Sequence, residues 1–570
     1  MTKRDIARVL NEIAFFVRFK GDNPYKARAY ERAAGALLAC PQDTLELINA
    51  GALADVPDIG PATAGVITEL VRTGESSLHQ EVRGTYPSSL VELGDIPGLS
   101  MKQIGRLYEH ANIRSVAELQ AACRNDLLLS VPGIGPKVQA RLLAALGEYQ
   151  RGQGYHLYAN VVDEALGLAG ALEAMPAVQE ASLAGAVRRK LEVINEFAFV
   201  LRCHRKDPVN YLATAMQAVP NLTAVTADAD SVTAASARGM PVRVTVAKPE
   251  VYGTVLLQAT GSDEHLEQLL DRFREKGLSD WNAVRKHFAG AGEAALYEVV
   301  GLPFIIPELR EGRGEIELAL EGRLPTPLET RQIQGFFHLH TTYSDGAGTV
   351  GEMVRAVRDQ GYRYFGISDH SQSAFYANGL KEPRIRAQWA EIAAVQQEYD
   401  DIHIFRGIEA DILPDGSMDY PDELLAEFDF VIASVHSRFN LPEAEQTQRI
   451  CRALSNPHVT MLGHPTGRLL LSRPGYRVDL SQIIEAAAAH HKIIEINGSR
   501  HRLDLDWRWA RVAKARGVKF AVNPDAHATS ELVNVSLGVQ VARKAGLGTD
   551  DVVNTSSLSE IKAMLQHRTV

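Results

Sequence analysis

Two histidines, His338 and His340, stand one residue apart in the segment FFHLHTTYSDG (336–346), and Asp345 follows them. Side chains at positions i and i+2 of a β-strand point to the same face, so a strand here would direct both imidazoles to one place. A single pair of this kind fits a polar strand end as well as it fits a metal site. The choice depends on whether further ligands come from other parts of the chain.

Histidine, aspartate or glutamate follows nearly every predicted strand of the C-terminal region. Apolar runs of strand length recur there, with helical stretches between most of them: FFHLH, YRYFGIS, IHIFRGI, DFVIASV, VTMLG, KIIEI and VKFAV. The residues that could bind a metal at the ends of these runs are His338, His340, Asp345, Asp369, His370, Glu409, Asp411, His436, His464, Glu495, Asp525 and His527. In a parallel α/β barrel or a doubly wound sheet, such strand ends meet at one edge. Because imidazole and carboxylate together suit zinc, manganese or iron, the pattern predicts a metal site.

The candidate ligands are numerous enough for more than one ion. Clustered metal ions are a common means of hydrolysing a phosphate ester, because one ion activates water while the others offset the developing charge. Arg468, in the segment HPTGR, could bind a phosphate, and an arginine in a surface ion pair is an equally good interpretation.

This set of residues resembles the PHP (polymerase and histidinol phosphatase) domain over residues 335–570. The resemblance implies a site for up to three divalent ions, zinc or manganese or both, and all nine ligand positions of that family are occupied in this chain. The implied ligands are His338, His340, Glu409 and Asp525 for one ion, Glu409, His436 and His464 for the second, and Asp345, His370 and His527 for the third.

Length and composition exclude several classes of protein. A chain of 570 residues is too long for one core, so we expect three or more domains. The composition, 45% hydrophobic and 23% charged, contains no long apolar run that would predict a membrane span. The N-terminal segment MTKRDIARVLNEIAFF contains acidic residues and predicts an amphipathic helix instead of a targeting signal. The four cysteines lie far apart, which favours a reducing cytoplasm and argues against a cysteine zinc site.

Residues 1–150 are predicted to be helices joined by short turns, with an internal repeat in VPDIGPATA (56–64), IPGLSMKQ (96–103) and VPGIGPKVQ (131–139). These turns resemble helix-hairpin-helix motifs, whose backbone N–H groups at a helix start bind DNA phosphates without sequence preference. Binding through backbone N–H groups needs little side-chain charge, so the net charge of -10 does not argue against DNA binding. The segment NPYKARAYERAA (23–34) mixes basic and aromatic residues, and its alternative interpretation is a solvated helix face. The predicted DNA contacts are Gly60, Gly98, Gly133, Gly135, Lys137, Lys26 and Arg28.

The order of segments along the whole chain resembles bacterial family X DNA polymerases, and GLPFIIPELREGRGEIELALEGRLP (301–325) is especially similar to their thumb. The resemblance implies α-helical N-terminal domains, an α+β palm and thumb, and a C-terminal α/β barrel. The expected domains are an eight-kilodalton-like DNA-binding domain (1–80), helix-hairpin-helix fingers (81–150), a nucleotidyltransferase-like palm (151–260), a thumb (261–320), a linker (321–334) and a seven-stranded, TIM-like PHP domain (335–570).

The palm implied by this resemblance lacks most of its catalytic residues. In the family, Gly-Ser and two basic residues precede an Asp-x-Asp pair, a third aspartate follows on a later strand, and the three carboxylates hold two metal ions. The corresponding positions here are Gly185, Ala186, Glu196, Ala198 and Thr245. An alanine methyl group cannot bind a divalent ion, so we predict that the polymerase site is lost or severely impaired. The lysine that performs lyase chemistry in the family is also absent, because Val66 occupies its position.

These observations predict a DNA repair protein whose PHP domain is a metal-dependent 3′-5′ exonuclease or a phosphodiesterase that processes 3′ ends. The polymerase-like half is expected to serve as a DNA-binding platform. The predicted partner is DNA with gaps, 3′ ends or single strands, and the chain is expected to be monomeric, free of membrane contact, cytoplasmic and associated with a bacterial nucleoid. The alternatives are an active manganese-dependent gap-filling polymerase with PHP proofreading and a non-catalytic DNA-binding scaffold. The attached hairpins argue against a small-molecule phosphatase.

Overall fold

The structure, a computed structural model, describes residues 1, 3–40, 42–94, 96, 98–220, 222–236 and 238–566. The chain divides into two compact units. The first is formed by Met1–Gln153 and Leu471–Arg473, and the second by the rest of the described chain from Gly154 onward. None of the described helices is long and apolar enough to cross a membrane.

The first unit is helical in its described part. Its α-helices are α1 (Lys3–Phe19), α2 (Pro24–Ala39), α3 (Thr44–Asn49), α4 (Pro61–Thr73), α5 (Ser77–Thr85), α6 (Leu90–Gly94), α7 (Met101–Ala111), α8 (Val116–Arg124) and α9 (Pro136–Gly152). Helix α1 carries apolar residues at helical spacing, and Ile6, Leu10 and Ile13 are fully buried against α2. Its residues Phe15 and Phe16 belong to a second core that also includes apolar residues of α6–α9. Helix α1 therefore links the two hydrophobic cores of this unit.

The three predicted hairpin turns share one backbone geometry. In each turn an amide donates to the carbonyl three residues before it, at 3.0 to 3.1 Å, and the bonds are Ile59 to Val56, Leu99 to Ile96 and Ile134 to Val131. The third turn has Gly133 at φ 82°, and Asp58 takes the same left-handed conformation at φ 68° in the first turn. Pro97 of the second turn lies outside the described residues. The sequence repeat thus corresponds to a repeated turn that precedes a helix.

The palm-like region begins the second unit with a five-stranded mixed sheet. Its strands and helices are β1 (His156–Leu157), α10 (Tyr158–Glu173), β2 (Val178–Ala184), α11 (Gly185–Arg188), β3 (Val193–Ile194), β4 (Phe197–Cys203), α12 (Pro208–Met216), β5 (Thr223–Ala227), β6 (Ser231–Ala235), β7 (Pro241–Ala247) and α13 (Tyr252–Thr260). The sheet order is β2-β4-β7-β6-β5, with β4 and β7 parallel and the other pairs antiparallel. The short strands β1 and β3 form a separate pair.

A small helical region follows the palm-like sheet. Its helices are α14 (Asp263–Glu275), α15 (Trp281–His287), α16 (Glu293–Val299) and α17 (Glu315–Leu320). They enclose a core that includes Leu269, Phe273, Tyr297 and Ile305. The buried His265 lies within this region, 2.8 Å from Glu315 and 2.9 Å from the Tyr297 hydroxyl.

The C-terminal region alternates strands with helices. Its elements are β8 (Gly335–Phe336), α18 (Val350–Asp359), β9 (Tyr364–Ile367), α19 (Glu382–Gln396), β10 (His403–Asp411), α20 (Asp422–Leu425), β11 (Phe430–Ser434), α21 (Glu443–Leu454), β12 (Met461–Leu462), α22 (Leu480–Ala489), β13 (Ile493–Asn497), α23 (Trp507–Ala515), β14 (Phe520–Asn523), α24 (Asn534–Lys544) and α25 (Leu558–Gln566). All paired strands are parallel, in the order β14-β13-β12-β11-β10-β9-β8.

The seven-stranded sheet nearly closes on itself. A parallel bridge joins Leu339, just after β8, to Ala526, just after β14, and the His340 amide donates to the Ala526 carbonyl at 2.9 Å. The seven strands match the seven apolar runs, so the predicted fold class, with helical N-terminal domains and a C-terminal PHP barrel, is confirmed. Because the strands are parallel, all their carboxyl ends lie at one rim of the barrel.

The barrel interior is packed without room for additional atoms near Phe430. A Cβ atom built on Gly407 would lie 2.0 Å from the Phe430 ring, and one built on Gly366 would lie 2.3 Å from it. Phe430 therefore fills the space that two glycines on the adjacent strands β9 and β10 leave free. This aromatic layer, with Phe337 and Phe405, forms part of the floor beneath the rim.

Replacing Gly407 with alanine is expected to lower the free energy of unfolding by about 1–3 kcal/mol, because the added methyl group overpacks the Phe430 ring. Thermal or urea unfolding followed by tryptophan fluorescence would report it, since three of the four tryptophans, Trp389, Trp507 and Trp509, lie in this region. A Cβ atom added to Gly351 on α18 would meet no other atom within 4 Å, so Gly351→Ala is the matched control and should leave stability unchanged or slightly raised. Equal stability of the two variants would contradict the packing argument.

Candidate metal centre

The nine predicted ligands converge at the rim formed by the carboxyl ends of the barrel strands. The pairs of ligand atoms in contact are separated by 2.8 to 3.9 Å, and the groups able to hold an ion are His340–Asp345–His370–His527, His338–His464–Asp525, His338–His340–Glu409 and His370–Glu409–His436. The His338–His340 pair has the orientation that its spacing predicts. Both imidazoles face the site, whereas Leu339 between them points away from it and packs into the hydrophobic core. Among the residues that the structure describes, every such group lies in the barrel.

Glu409, on β10, is the centre of this arrangement. Its Oε2 lies 3.4 Å from His338 Nε2, 3.7 Å from His340 Nε2 and 2.9 Å from His370 Nδ1. Its Oε1 lies 3.2 Å from His436 Nε2 and 2.8 Å from His464 Nε2. One fully buried carboxylate thus faces five imidazoles, three on one oxygen and two on the other.

The separations between ligand atoms fit metal coordination better than hydrogen bonding at several positions. A tetrahedral ion with ligand bonds of about 2.1 Å places neighbouring ligand atoms about 3.4 Å apart. Asp525 Oδ1 lies 3.4 Å from His338 Nε2 and 3.3 Å from His340 Nε2. Asp345 Oδ1 lies 3.6 Å from His370 Nε2 and 3.5 Å from His527 Nε2. These distances leave room for an ion between the paired atoms.

Several buried ligand atoms also have no hydrogen-bond partner in the described part of the chain. They include Nε2 of His338, both ring nitrogens of His340 and Oε2 of Glu409. A buried polar atom without a partner costs about 1–3 kcal/mol, so such atoms rarely persist unless a ligand satisfies them. The residues present therefore fit a cluster of divalent ions, and the division of the nine ligands among separate ions stays a prediction.

The electrostatics of the cluster differ between its members. Glu409 and His340 have the protonation states that metal binding requires. At His338 and His436 burial is outweighed by neighbouring carboxylates, which raise the pKa of both histidines, that of His436 to about 10. Burial opposes ionisation of Glu409, but His436 and His338 hold the pKa of its carboxyl well below the ordinary value. Burial and repulsion from His527 hold the pKa of His340 well below that of a free histidine. An ionised Glu409 and a neutral His340 both offer lone pairs to a cation.

Two carboxylates outside the predicted ligand set orient the ligands. Asp411 Oδ1 lies 2.6 Å from His436 Nδ1, and Glu495 Oε1 lies 2.7 Å from His338 Nδ1. In both histidines the other nitrogen, Nε2, faces Glu409. A carboxylate that holds one ring nitrogen fixes the tautomer and makes the opposite nitrogen a better ligand. The sequence showed both acids at strand ends, and the family resemblance left them out of the nine ligands, but neither predicted that they orient the ligands.

Asp369 has a different role from its neighbour His370. Its carboxylate accepts hydrogen bonds from the amide of Thr341 at 2.8 Å, the hydroxyl of Thr341 at 2.6 Å and the amide of Ser344 at 3.1 Å. Asp369 therefore holds the loop between His340 and Asp345 and does not face the other predicted ligands.

The contacts of Arg468 decide between its two interpretations, a phosphate-binding residue and an arginine in an ion pair. Its guanidinium pairs with Asp506 at 2.6 Å and donates to the carbonyls of Arg502 and Leu503, so its donors are used in holding a loop. Arg502 points into the metal site instead, with Nε 3.3 Å from Asp525 Oδ2 and 19% of its side chain exposed. Arg502 carries no signal in the sequence, because its position beyond β13 belongs to no motif.

The positions that correspond to polymerase carboxylates lie together on one face of the palm-like sheet. Ala198 on β4 stands opposite Arg243 on β7, with Thr245 two residues further along β7. The remaining acid, Glu196, forms an ion pair with Arg243 at 3.0 Å. The only carboxylate at these positions, that of Glu196, is thus paired with the Arg243 guanidinium. Gly185 adopts φ 58°, and a Cβ atom there would lie 3.2 Å from that of Ala198.

The basic residues beside Ala186 are engaged in ion pairs. Arg188 forms two hydrogen bonds with Glu293, at 2.9 and 2.7 Å, and Arg189 pairs with Glu311 at 3.1 Å. Glu311 is in turn paired with Lys544, a buried residue of α24 in the barrel region. The arginines therefore join the palm-like sheet to the helical region, and the second pair reaches the barrel.

The glycines of the three hairpin turns are exposed, as a DNA contact requires. Gly60 and Gly135 precede α4 and α9 as N-cap residues without a side-chain cap, and Gly98 and Gly133 are exposed within their turns. Lys137 is exposed in the first turn of α9. The other two predicted contacts are also at the surface: Lys26 lies 3.9 Å from Asp22, and Arg28 lies over the Tyr25 ring. Val66 is buried in the core, and its hydrocarbon side chain has no nucleophilic atom.

Three family models match parts of the chain. A helix-hairpin-helix domain matches residues 1–76, a SAM-like helix-hairpin-helix tandem matches residues 90–148, and a PHP domain matches residues 337–499. The DNA polymerase/3′-5′ exonuclease PolX of Bacillus subtilis (strain 168) is 35% identical over 583 aligned residues, which cover 99% of this chain and 100% of that protein. This chain belongs to the bacterial family X DNA polymerases that carry a PHP domain. The family predicted from the sequence is thereby confirmed.

The PHP region also has relatives without a polymerase-like half. Probable phosphatases of Thermoanaerobacter sp. (strain X514) and Vibrio parahaemolyticus serotype O3:K6 (strain RIMD 2210633) are 29% and 28% identical, each over 40% of this chain and over 94% and 92% of their own lengths. Membership in the family and the PHP domain make this chain an enzyme with a metal-dependent hydrolase domain. Its helix-hairpin-helix domains indicate DNA binding.

Replacing Asp411 with asparagine is expected to weaken metal binding by about 10–100-fold, because a neutral amide no longer polarises His436. Calorimetric titration of metal-free protein with manganese or zinc would measure the affinity and the number of ions bound. Asp415→Asn is the control, since this exposed carboxylate accepts hydrogen bonds only within its own turn, from Ser417. Identical affinities in Asp411→Asn and the unmodified protein would show that Asp411 has no part in the site.

Proposed function

We propose that this protein hydrolyses phosphodiester bonds at DNA 3′ ends in its PHP barrel, as a 3′-5′ exonuclease or 3′-end-processing enzyme in DNA repair. The observation that carries the proposal is the nine-ligand cluster around Glu409, on a chain that also carries helix-hairpin-helix turns. The nine side chains would hold up to three zinc or manganese ions. The name of the Bacillus subtilis relative supports the same activity.

Residues of the chain would perform three tasks in this reaction. The ligands hold the ions, and Asp411 and Glu495 keep His436 and His338 in the orientation that presents Nε2. When bound, the ions would activate water and offset the charge that develops on the phosphate. Arg502 is placed to bind a non-bridging phosphate oxygen, because its guanidinium lies beside Asp525 and is partly exposed.

The polymerase-like half would hold DNA without extending it. Its exposed hairpin turns retain what phosphate binding needs, whereas the palm positions offer one carboxylate, which is already paired with Arg243. Two-metal nucleotide transfer requires acids that Ala198 and Thr245 cannot supply. The domain limits within this half, a monomeric state, and a cytoplasmic location on DNA with gaps or free 3′ ends belong to the same proposal.

The double variant His338→Ala/His340→Ala is expected to reduce DNA hydrolysis to the level of a reaction without enzyme, because it removes two ligands that share Glu409 and Asp525. Cleavage of a 5′-labelled oligonucleotide on a gel measures the loss, and a filter or gel-shift assay should show unchanged DNA binding. His490→Ala/His491→Ala removes an exposed histidine pair from the same domain and should leave both properties intact. Cleavage that survives the first change would place the chemistry elsewhere.

A 5′-labelled primer on a gapped template, incubated with the protein and manganese, is expected to shorten equally with and without nucleotides. The reason is that the palm lacks the carboxylates needed to bind nucleotide-carrying ions. Three lanes separate hydrolysis from polymerisation. They contain all four nucleotides, no nucleotides, and the Glu196→Gln protein with all four nucleotides. Extension that depends on nucleotides and disappears in Glu196→Gln would instead establish an active manganese-dependent polymerase.

A further inference from the structure

A short turn beside the metal centre exposes two adjacent aromatic rings. Phe375 and Tyr376 lie in the 3-10 turn Phe375–Ala377, and their exposed fractions are 84% and 71%. Phe375 is the most exposed large hydrophobic side chain in the part of the chain that the structure describes. Single exposed apolar residues are common, but two adjacent rings at the edge of a reaction site require an explanation.

The turn directs these rings outward by its own packing. Ala374 and Ala377, which flank them, are completely buried, at 0% and 1% exposure. The two aromatic residues between them are therefore forced to the opposite side, toward solvent. Asn378 ends the turn in the left-handed conformation, at φ 56°.

Hydrogen bonds fix the turn on both sides. Before it, the amide of Ser373 donates to Asp419 at 2.7 Å, and Gln372 donates to the carbonyl of Asp419 at 2.9 Å. After it, the amide of Leu380 donates to the carbonyl of the ligand His370 at 2.8 Å, and Arg384 donates to the carbonyl of Asn378 at 2.7 Å. The exposed rings thus stand on a rigid support that is tied to the metal centre.

The rings lie close to the predicted ligands. The Tyr376 ring centroid is 6.2 Å from that of His370 and 6.5 Å from that of His436. A molecule whose phosphate reached the ions would therefore place its adjoining group within reach of Tyr376. A nucleotide joins a phosphate to a flat, largely apolar base, and each base stacks on an aromatic ring without regard to sequence. A protein partner would not need a phosphate-binding centre at this distance, and the helix-hairpin-helix domains of the same chain favour DNA over a lipid phosphate.

We propose that Phe375 and Tyr376 form a nucleobase platform, on which the 3′-terminal base of a DNA strand stacks while its phosphodiester lies at the metal centre. This inference rests on the proposed 3′-end hydrolysis and deepens it, because it makes the terminal base a determinant of the substrate. The rings position the strand and take no part in the chemical step.

The test compares two oligonucleotides that differ only at the 3′ end, one with a normal nucleotide and one with a tetrahydrofuran abasic residue. The full-length protein should cleave the normal end with the higher kcat/KM. Phe375→Ala/Tyr376→Ala should lose about 5- to 150-fold on the normal end, the range expected for stacking of one base, and little on the abasic end. Phe375→Trp/Tyr376→Trp should retain the preference. Phe304→Ala, which removes an exposed ring of the helical region, is the control and should change neither rate.

A binding measurement without cleavage separates this inference from the hydrolase proposal. With manganese present and a 3′-terminal 2-aminopurine joined by a cleavage-resistant phosphorothioate linkage, binding of the unmodified protein should quench the fluorescence, and binding of the double alanine variant should not. Quenching without any cleavage of the normal end would support the platform and overturn the hydrolase proposal. Cleavage with no quenching, or equal losses of rate on the normal and abasic ends, would overturn the platform and leave the hydrolase proposal standing.

Discussion

The Glu409 carboxylate is the interaction on which the metal centre depends. It is fully buried and lies against five imidazoles that come from four different strand ends. It remains ionised despite its burial because positive charge on neighbouring histidines, His436 and His338 above all, lowers its pKa. A buried carboxylate cannot be exchanged for a neutral group without leaving these histidines unpartnered. The barrel brings these histidines to one rim. The supporting acids Asp411 and Glu495 hold two of them, His436 and His338, against the Glu409 carboxylate.

The palm-like sheet presents the opposite arrangement of charge. Where two ions would need three carboxylates, the face offers Glu196, a methyl group and a hydroxyl, and Arg243 supplies the positive charge. A cation in that position repels a metal ion. The fold nevertheless persists, because the sheet is held by its hydrophobic core and does not need the acids.

Ion pairs connect the palm-like sheet, the helical region and the barrel within the second unit. Glu311 lies between Arg189 of the palm-like region and Lys544 of the barrel, and Glu308 pairs with Lys190 and with Arg543. Lys544 is buried, and burial lowers its pKa, so its charge depends on the neighbouring Glu311. Residues at the edge of the palm-like sheet thereby contribute to the attachment of the hydrolase domain.

The sequence by itself determined the family, the order of the segments, the seven strands and the nine residues that meet at the rim. It could do so because strand periodicity and the carboxyl-end rule of parallel sheets place residues in space without further information. Only the tertiary structure showed that Asp411 orients His436, and that Arg502 lies beside Asp525 while Arg468 holds a loop. Those roles depend on which atoms come within about 3 Å of one another, and side chains of the same type at equivalent strand ends are indistinguishable along the chain. The exposure of Phe375 and Tyr376 was likewise visible only in the structure, because the sequence does not show that the flanking Ala374 and Ala377 are buried.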